Sequence, residues 1–431
     1  MCLLLLLTSS LLSVSLIAEE PPGIVLAREF AAQLDVEVVS IDPNAPERGL
    51  VVRSKKNGRT AVLLANPKDR TYDIFGVATK QPELQLPNAG NGRASDRQIA
   101  TAVRQLAAKA LASEDFSGVV LVARGERIVL HEAFGIADRD HNVPVEPLTK
   151  FQIASVGKMF TATAIMQLID AGKLTLDTTL LEVLPDYPDR DVAAKIRVRH
   201  LLNHSAGLGS LFDRPKYERL RRYERHADFF PIFAGEPLLF EPGARSSYSN
   251  EGYVVLGAII EKLSGLTWDD YMKRHVFTPA GMQDMKSWAL DEVVPKRAVG
   301  YLLPDTDPFG YQPRRPNWTF AGLHGNAAGG QYGHALDLFR FLRALRANKL
   351  ASAERVAEFT THQPPRRNYG FGFTVKKVGD ATVIGHTGGG GNSGIDNAAW
   401  MIGDWTVVVQ SNYESAANAI ADRIVEALAK Q

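Results

Sequence analysis

Cysteine is all but absent: Cys2 is the only one in 431 residues. A disulfide framework and a cysteine-based metal site are both excluded. Charge of one sign is lacking too. The 49 Lys and Arg stand against 48 Asp and Glu, leaving a net charge of +1. That gives no electrostatic case for nucleic acid or an acidic membrane surface. No apolar run is long enough for a comfortable membrane span: the leader Leu3–Leu7, Leu11-Leu12, Leu16-Ile17-Ala18 is broken by Thr8, Ser9 and Ser10. No internal repeat is visible. His324, His334 and His362 lack metal-ligand spacing, so surface or structural roles are expected for them, with no metal and no cofactor.

What is present is ordinary globular material, with 45% hydrophobic and 23% charged residues. The length suggests two or three units. Residues 1–18 read as a secretory signal peptide cleaved after Ser15 or Ala18, although no basic residue stands near Met1. A mature protein without cysteine suits export. A secreted or periplasmic location without a stable membrane span is therefore expected.

Residues 24–82 read as a small, mainly β unit with one helix over 27–34 and strands over 36–41, 50–54, 60–65 and 72–77. Asn57-Gly58 supplies a two-residue hairpin signal between the second and third strands. This unit faintly resembles the strand half of an NTF2-like or cystatin-like domain, and an accessory role is expected. Residues 83–94, rich in Pro, Gly and Asn, read as a linker. The rest, 95–431, opens with an amphipathic helix carrying Ile99, Val103, Leu106 and Leu111 on one side. A hairpin over 118–130 and a third short strand over 133–137 follow. Residues 174–184 and 196–202 read as helical or turn-like. The basic run 214–226 reads as a solvated helix face. Helices are expected over 252–263, 269–276 and 335–348, and a long, functional loop over 295–333. Strands at 371–375, 382–386, 397–401 and 406–410 and a last helix over 416–429 close the chain. Strands and a helix at both ends, with helices between, predict one α/β sheet domain interrupted by a helical insert.

Ser155-Val156-Gly157-Lys158 heads the apolar run Met159–Ile169, which is free of Gly and Pro and reads as a buried helix. Ser155 would stand at the helix start with Lys158 on the same face. A hydroxyl at the positive end of a helix, one turn from an amine, is a plausible activated nucleophile. An N-cap serine beside a lysine reaching to water is the bland alternative. Two more short motifs bear on that choice: Tyr248-Ser249-Asn250 and His386-Thr387-Gly388.

Together with Leu201–Leu208, Phe240–Gly243 and Ala328-Gly329-Gly330, these three motifs resemble the serine β-lactamase and penicillin-binding superfamily. The resemblance covers about 95–431. It points to the branch of class C β-lactamases, serine D-Ala-D-Ala carboxypeptidases, D-aminopeptidases and β-lactamase-like esterases. It implies an α/β (α+β) fold, an antiparallel sheet flanked by helices with an inserted, mainly helical subdomain. It also implies a serine hydrolase working through an acyl-enzyme. Ser155 is then the nucleophile, and burial with the helix dipole should lower the pKa of Lys158. Tyr248 offers its phenol oxygen to Ser155; either Lys158 or Tyr248 takes the serine proton, and the sequence does not choose. Asn250 suits a substrate amide. The resemblance puts His386, Thr387 and Gly388 on the strand edging the substrate, and makes the backbone N–H groups of Ser155 and Gly389 the oxyanion hole.

Most β-lactamases of this superfamily carry Lys-Thr-Gly where this chain has His386. A histidine is not permanently charged and holds a substrate carboxylate less firmly. The expected substrate is thus a D-amino-acid peptide or related amide, peptidoglycan fragments included. A small-acyl esterase or weak β-lactamase is the alternative, and a non-catalytic penicillin-binding sensor or scaffold the alternative of another class. No nucleic-acid partner is expected, and no oligomeric state is legible. Two near-misses are set aside. Asn203–Gly207 lacks the first Gly and the preceding strand of a nucleophile elbow. Gly389–Gly394 is followed by a strand rather than the helix of a dinucleotide site.

Overall fold

Apolar residues on both faces of one strand mark the centre of a sheet covered on two sides. Val119 and Leu121 join one hydrophobic cluster, Val120 and Val122 the other, and all four are fully buried. The computed structural model describes residues 20–42, 47–55, 58–78, 84–86, 94–304, 313–318, 322–390, 393–414 and 416–431. The leader over 1–18, most of the 83–94 linker, Asn57 and parts of the 295–333 loop lie outside the described residues. Contacts divide the chain into two compact units, one running to Gly76 and one from Val77.

In the first unit, helix α1 (Pro22–Gln33) precedes strands β1 (Val36–Ile41), β2 (Gly49–Ser54), β3 (Thr60–Asn66) and β4 (Thr71–Ala78), which form a sheet in that order. The β3 burial alternates residue by residue, as one covered face requires.

In the second unit, α2 (Asp96–Ala112) starts with a capping box in which Ser95 and Gln98 satisfy each other's neighbouring backbone donors. Leu111, expected on its apolar side, is 37% exposed instead. The hairpin β5 (Gly118–Arg124) and β6 (Arg127–Phe134) turns at Gly125. Helices α3 (Lys158–Asp170), α4 (Asn250–Ser264) and α5 (Ala335–Arg346) follow. Strands β7 (Thr374–Val378), β8 (Ala381–Gly390), β9 (Ile395–Ile402) and β10 (Trp405–Ser411) and helix α6 (Ala417–Leu428) close the chain. The six strands pair antiparallel in the order β7-β8-β9-β10-β5-β6, so the last strand closes on the first. Helices α2 and α6 cover one face; α3 and the helical segments between β6 and β7 supply the other core.

Several expectations are corrected. Ala133 and Phe134 belong to β6, and Gly135, at positive φ, separates them from the short strand Ile136–Asp138. The 371–375 strand lies further on, at Thr374–Val378. Gly372 takes φ +85°, and Phe371 and Phe373 turn into the core. Residues 174–184 hold only the short helix Leu180–Val183. The basic run 214–226 is not a helix but a series of turns around Pro215, anchored where Arg214 Nε donates to the buried Glu251 at 2.6 Å. A helix at Ala353–Phe359 was not anticipated.

Helix α3 is buried nearly all round, with Phe160 meeting Phe277 and Phe341 edge-on at 5.1 and 4.8 Å. Phe160→Ala should therefore cost about 3–5 kcal/mol of stability. Urea unfolding checks this; a loss below about 1 kcal/mol would mean that the contact does not anchor α3.

Candidate active site

Backbone strain precedes Ser155, the candidate nucleophile. Ile153 bonds to the Gln331 carbonyl, and Ala154 then takes φ +45° immediately before Ser155. A non-glycine residue in that region costs on the order of 1–3 kcal/mol and needs surroundings that enforce it. Here Gly330 N–H holds the Ala154 carbonyl at 3.2 Å. Gly329, at φ +133°, leaves room for that carbonyl, since a Cβ there would stand 2.1 Å from it. Ser155 lies in the single 3₁₀ turn Ala154–Gly157 that runs into α3, and Lys158 is the first residue of the helix proper.

Lys158 is completely buried. Its Nζ lies 2.6 Å from the Ala328 carbonyl oxygen, 2.7 Å from Asn250 Oδ1 and 3.1 Å from Ser155 Oγ. Burial lowers its pKa well below the ordinary lysine value. A neutral amine has two N–H groups and one lone pair. In the neutral form, the two oxygens that can only accept would take both N–H groups and leave the lone pair for the Ser155 hydroxyl. Among the described residues, no carboxylate is within ion-pairing distance of this amine.

Each acceptor is held from behind. Ser249 caps α4, accepting from Gly252 N–H at 3.0 Å and donating to the Gly209 carbonyl at 2.7 Å, which sets Asn250 in the first turn. Ala327 N–H donates to His226 Nε2 at 2.9 Å, while His226 Nδ1 donates to Glu261 at 3.0 Å. Thr161 Oγ1 donates to the Ala327 carbonyl at 2.8 Å. The carbonyl that meets Lys158 is thus fixed by a buried polar chain. Tyr248 hydrogen-bonds Ser155, and desolvation raises its phenol to about 12. At neutral pH it is a phenol that donates to Ser155 Oγ.

Ser155, Tyr248, Asn250 and Gly389 line one cavity of about 330 Å³, with Lys158 just beneath it. That volume suits a small ligand. Gln152, Ala328, Phe212, Tyr217, Arg219 and His324 contribute to its wall. Gly388 packs β8 against the nucleophile turn: a Cβ there would lie 2.2 Å from the Ile153 carbonyl and 2.9 Å from Ser155 N. Thr387 is half-buried on the same strand and does not line the cavity.

His386 sits differently from the substrate-facing position expected of it. Its ring is 4% exposed and lies outside the cavity lining. Nδ1 donates to the Thr387 carbonyl, and Nε2 accepts from Tyr369 Oη at 3.0 Å. Tyr369 Oη in turn accepts from His204 Nε2 at 3.2 Å, and His204 Nδ1 accepts from Ser249 N–H at 3.1 Å. Ser249 N–H and the Thr387 carbonyl select one neutral tautomer for each imidazole, and Tyr369 Oη also hydrogen-bonds Tyr253. The neutrality has a physical reason: burial lowers His386 to about 3.

His204, Tyr369, His226 and the Ala328 carbonyl were not singled out as functional. His204 and Ala328 lie in phrases that carried the family resemblance, and that was the available signal. Tyr217 and Arg219 lie in the basic run, whose composition says solvent rather than cavity wall. Among the described residues no cluster of three or more His, Cys, Asp or Glu is placed to hold a metal ion.

The arrangement places a serine hydroxyl beside a buried amine and a phenol. Residues 103–431 match the Beta-lactamase family, and the chain belongs to that family of serine hydrolases. It is 30% identical over 304 residues to penicillin-binding protein 4* of Bacillus subtilis (strain 168), covering 64% of this chain and 63% of that protein. The chain thus spans less than two thirds of that relative's length. It is 29% identical over 322 residues to esterase EstB of Burkholderia gladioli, covering 66% of this chain and 82% of the esterase. The crystal structure of a penicillin-binding protein from Bacillus halodurans is similar at TM-score 0.66 and 30% identity, covering 78% of this chain and 99% of that one.

Because His386 takes up a proton less readily folded than unfolded, its share of stability rises with pH from about 3 to about 6.5 and is lost as pH falls. Asp396, raised by burial to about 7, acts oppositely, its contribution falling as pH rises through that value. Comparing wild type with His386→Asn leaves the Asp396 contribution common to both. In urea unfolding between about pH 7 and 4, wild type should lose more stability than the variant. Parallel curves would contradict a buried neutral His386.

Proposed function

We propose that the protein hydrolyses small acyl donors through an acyl-enzyme on Ser155. The reading rests on one observation: the Lys158 amine is fully buried, without a carboxylate partner among the described residues, and lies 3.1 Å from Ser155 Oγ beside two oxygens that only accept. That makes Lys158 the base in the free enzyme, while Tyr248 keeps its proton. As Ser155 Oγ bonds to the substrate carbonyl carbon, its proton passes to Lys158. The bond to the leaving group breaks, and Tyr248 gives its phenol proton to that group. The acyl-enzyme then holds Lys158 as ammonium and Tyr248 as phenolate. The phenolate takes a proton from water, hydroxide adds to the acyl carbon, and Lys158 returns its proton to Ser155 Oγ as the acid leaves. Ser155 and Gly389 N–H groups serve the carbonyl oxygen, and Asn250 faces the substrate amide.

The substrate class favoured is a D-amino-acid peptide or related amide. Its supports are the penicillin-binding relatives and a Tyr-Ser-Asn with His-Thr-Gly pairing that resembles D-Ala-D-Ala carboxypeptidases. A second reading, hydrolysis of small-acyl esters, is favoured by the buried, neutral His386, which leaves β8 without a cation for a substrate carboxylate. The similarity to esterase EstB points the same way. Export to the periplasm or beyond, read from the apolar leader, is part of the proposal.

Purified protein incubated with a fluorescent penicillin and with p-nitrophenyl esters should gain a covalent acyl mass that Ser155→Ala lacks. Lys158→Met should slow acylation by roughly a hundredfold or more. Ester turnover without a penicillin adduct selects the esterase. Labelling of Ser155→Ala as strong as wild type, or no acylation by either class, would refute the mechanism and favour a non-catalytic role.

A further inference from the structure

In the proposed cycle Tyr248 gives up a phenol proton inside the protein, and the resulting phenolate needs a compensating charge. The third motif, where a lysine is usual, does not provide one here, because His386 is buried and bonded to Tyr369 and Thr387. The groups that face Tyr248 come from every element around it. Ser155 and Lys158 lie at the head of α3, with Lys158 Nζ 4.9 Å from the ring centroid. The His204 ring packs tilted against Tyr248 at 4.3 Å, and Tyr253 comes from α4 behind His204. From the segment between Phe359 and Thr374 come Tyr369, which packs on His204 at 5.0 Å, and Arg366. His386 of β8 stands behind Tyr369.

The Arg366 guanidinium lies 5.3 Å from the Tyr248 ring centroid and 5.2 Å from that of Tyr369. Its segment is tied down on both sides, by Asn203 Nδ2 donating to the Pro364 carbonyl at 3.0 Å and by Gln363 N–H donating to the Tyr369 carbonyl at 2.7 Å. Burial keeps His204 and His386 neutral. Of the groups named, only Lys158 and Arg366 can face the phenolate as cations; Lys158 becomes one by taking the Ser155 proton, whereas Arg366 is positive throughout the cycle. An arginine cannot lose its proton in a protein. A cation at an aromatic face is attracted to the neutral ring and more strongly to the phenolate.

We infer that Arg366, which lies outside all three motifs, is a positioning residue that holds negative charge on Tyr248 when the phenol proton leaves. The inference rests on the acyl-enzyme reading above. Its consequence is selective. A leaving group that departs as alkoxide or amide ion needs the Tyr248 proton, whereas nitrophenolate departs as a stable anion and does not. Loss of Arg366 should therefore harm the first class and spare the second.

The test compares kcat/KM of wild type, Arg366→Met and Arg366→Lys on an alkyl ester or anilide and on the p-nitrophenyl ester of the same acyl group. Arg366→Met should lose roughly tenfold to thirtyfold on the poor leaving group. On the p-nitrophenyl ester it should lose no more than about threefold, and Arg366→Lys should recover most of the loss. Because both substrates report on one protein sample, partial unfolding lowers both rates alike, and matching thermal melts with Arg366→Lys guard against it. Equal losses on the two leaving groups in a folded variant, or no loss on either, would overturn the assignment while leaving the Ser155 adduct intact. Absence of that adduct in wild type would instead bring down the acyl-enzyme reading and this inference with it.

Discussion

The structure depends on an amine that has been taken out of water. Lys158 has no exposed surface and no carboxylate partner among the described residues, only the Ala328 carbonyl, Asn250 Oδ1 and Ser155 Oγ. A buried charge without a counter-ion is expensive, so burial lowers the pKa of the amine, as its proposed role as base requires. Much of the surrounding structure serves those three contacts. The Ser249 cap presents Asn250, and the Glu261–His226–Ala327 chain presents the next carbonyl. The strained Ala154 turn presents the serine.

The parts of this that periodicity controls were legible in the chain. An apolar run with no polar stripe predicts a helix covered on all sides, and Met159–Leu168 proves to be one, which is why Lys158 is buried at its head. Short apolar and β-branched runs in the terminal segments predict strands, and β8, β9 and β10 extend past the predicted ends because pairing continues as long as neighbours remain. What periodicity does not encode is which partner meets a side chain arriving from a loop. Tyr369 and Arg366 lie in a segment with no repeat, and only the folded chain brings them to His386 and Tyr248. The basic run 214–226 misleads for the same reason. Its charges read as a helix face, yet Arg214 is committed to buried Glu251, and Arg219 reaches the cavity wall.

The histidine of the third motif gains a different meaning from its surroundings. Sequence alone gives a titratable group near the substrate. The fold gives a buried hydrogen-bonded chain, His204–Tyr369–His386. Such a chain rigidifies the wall behind Tyr248 at the cost of acid sensitivity.

The central claim is that Lys158 is unprotonated in the resting protein at neutral pH, and its own ionisation tests that most directly. In protein carrying isotope-labelled lysine, the Lys158 side-chain resonance can be assigned by its loss in Lys158→Arg and followed by NMR against pH. The account predicts a signal already at the neutral-amine shift at pH 7, titrating well below the other lysines. A Lys158 signal that stays at the ammonium shift until the surface lysines titrate would contradict it.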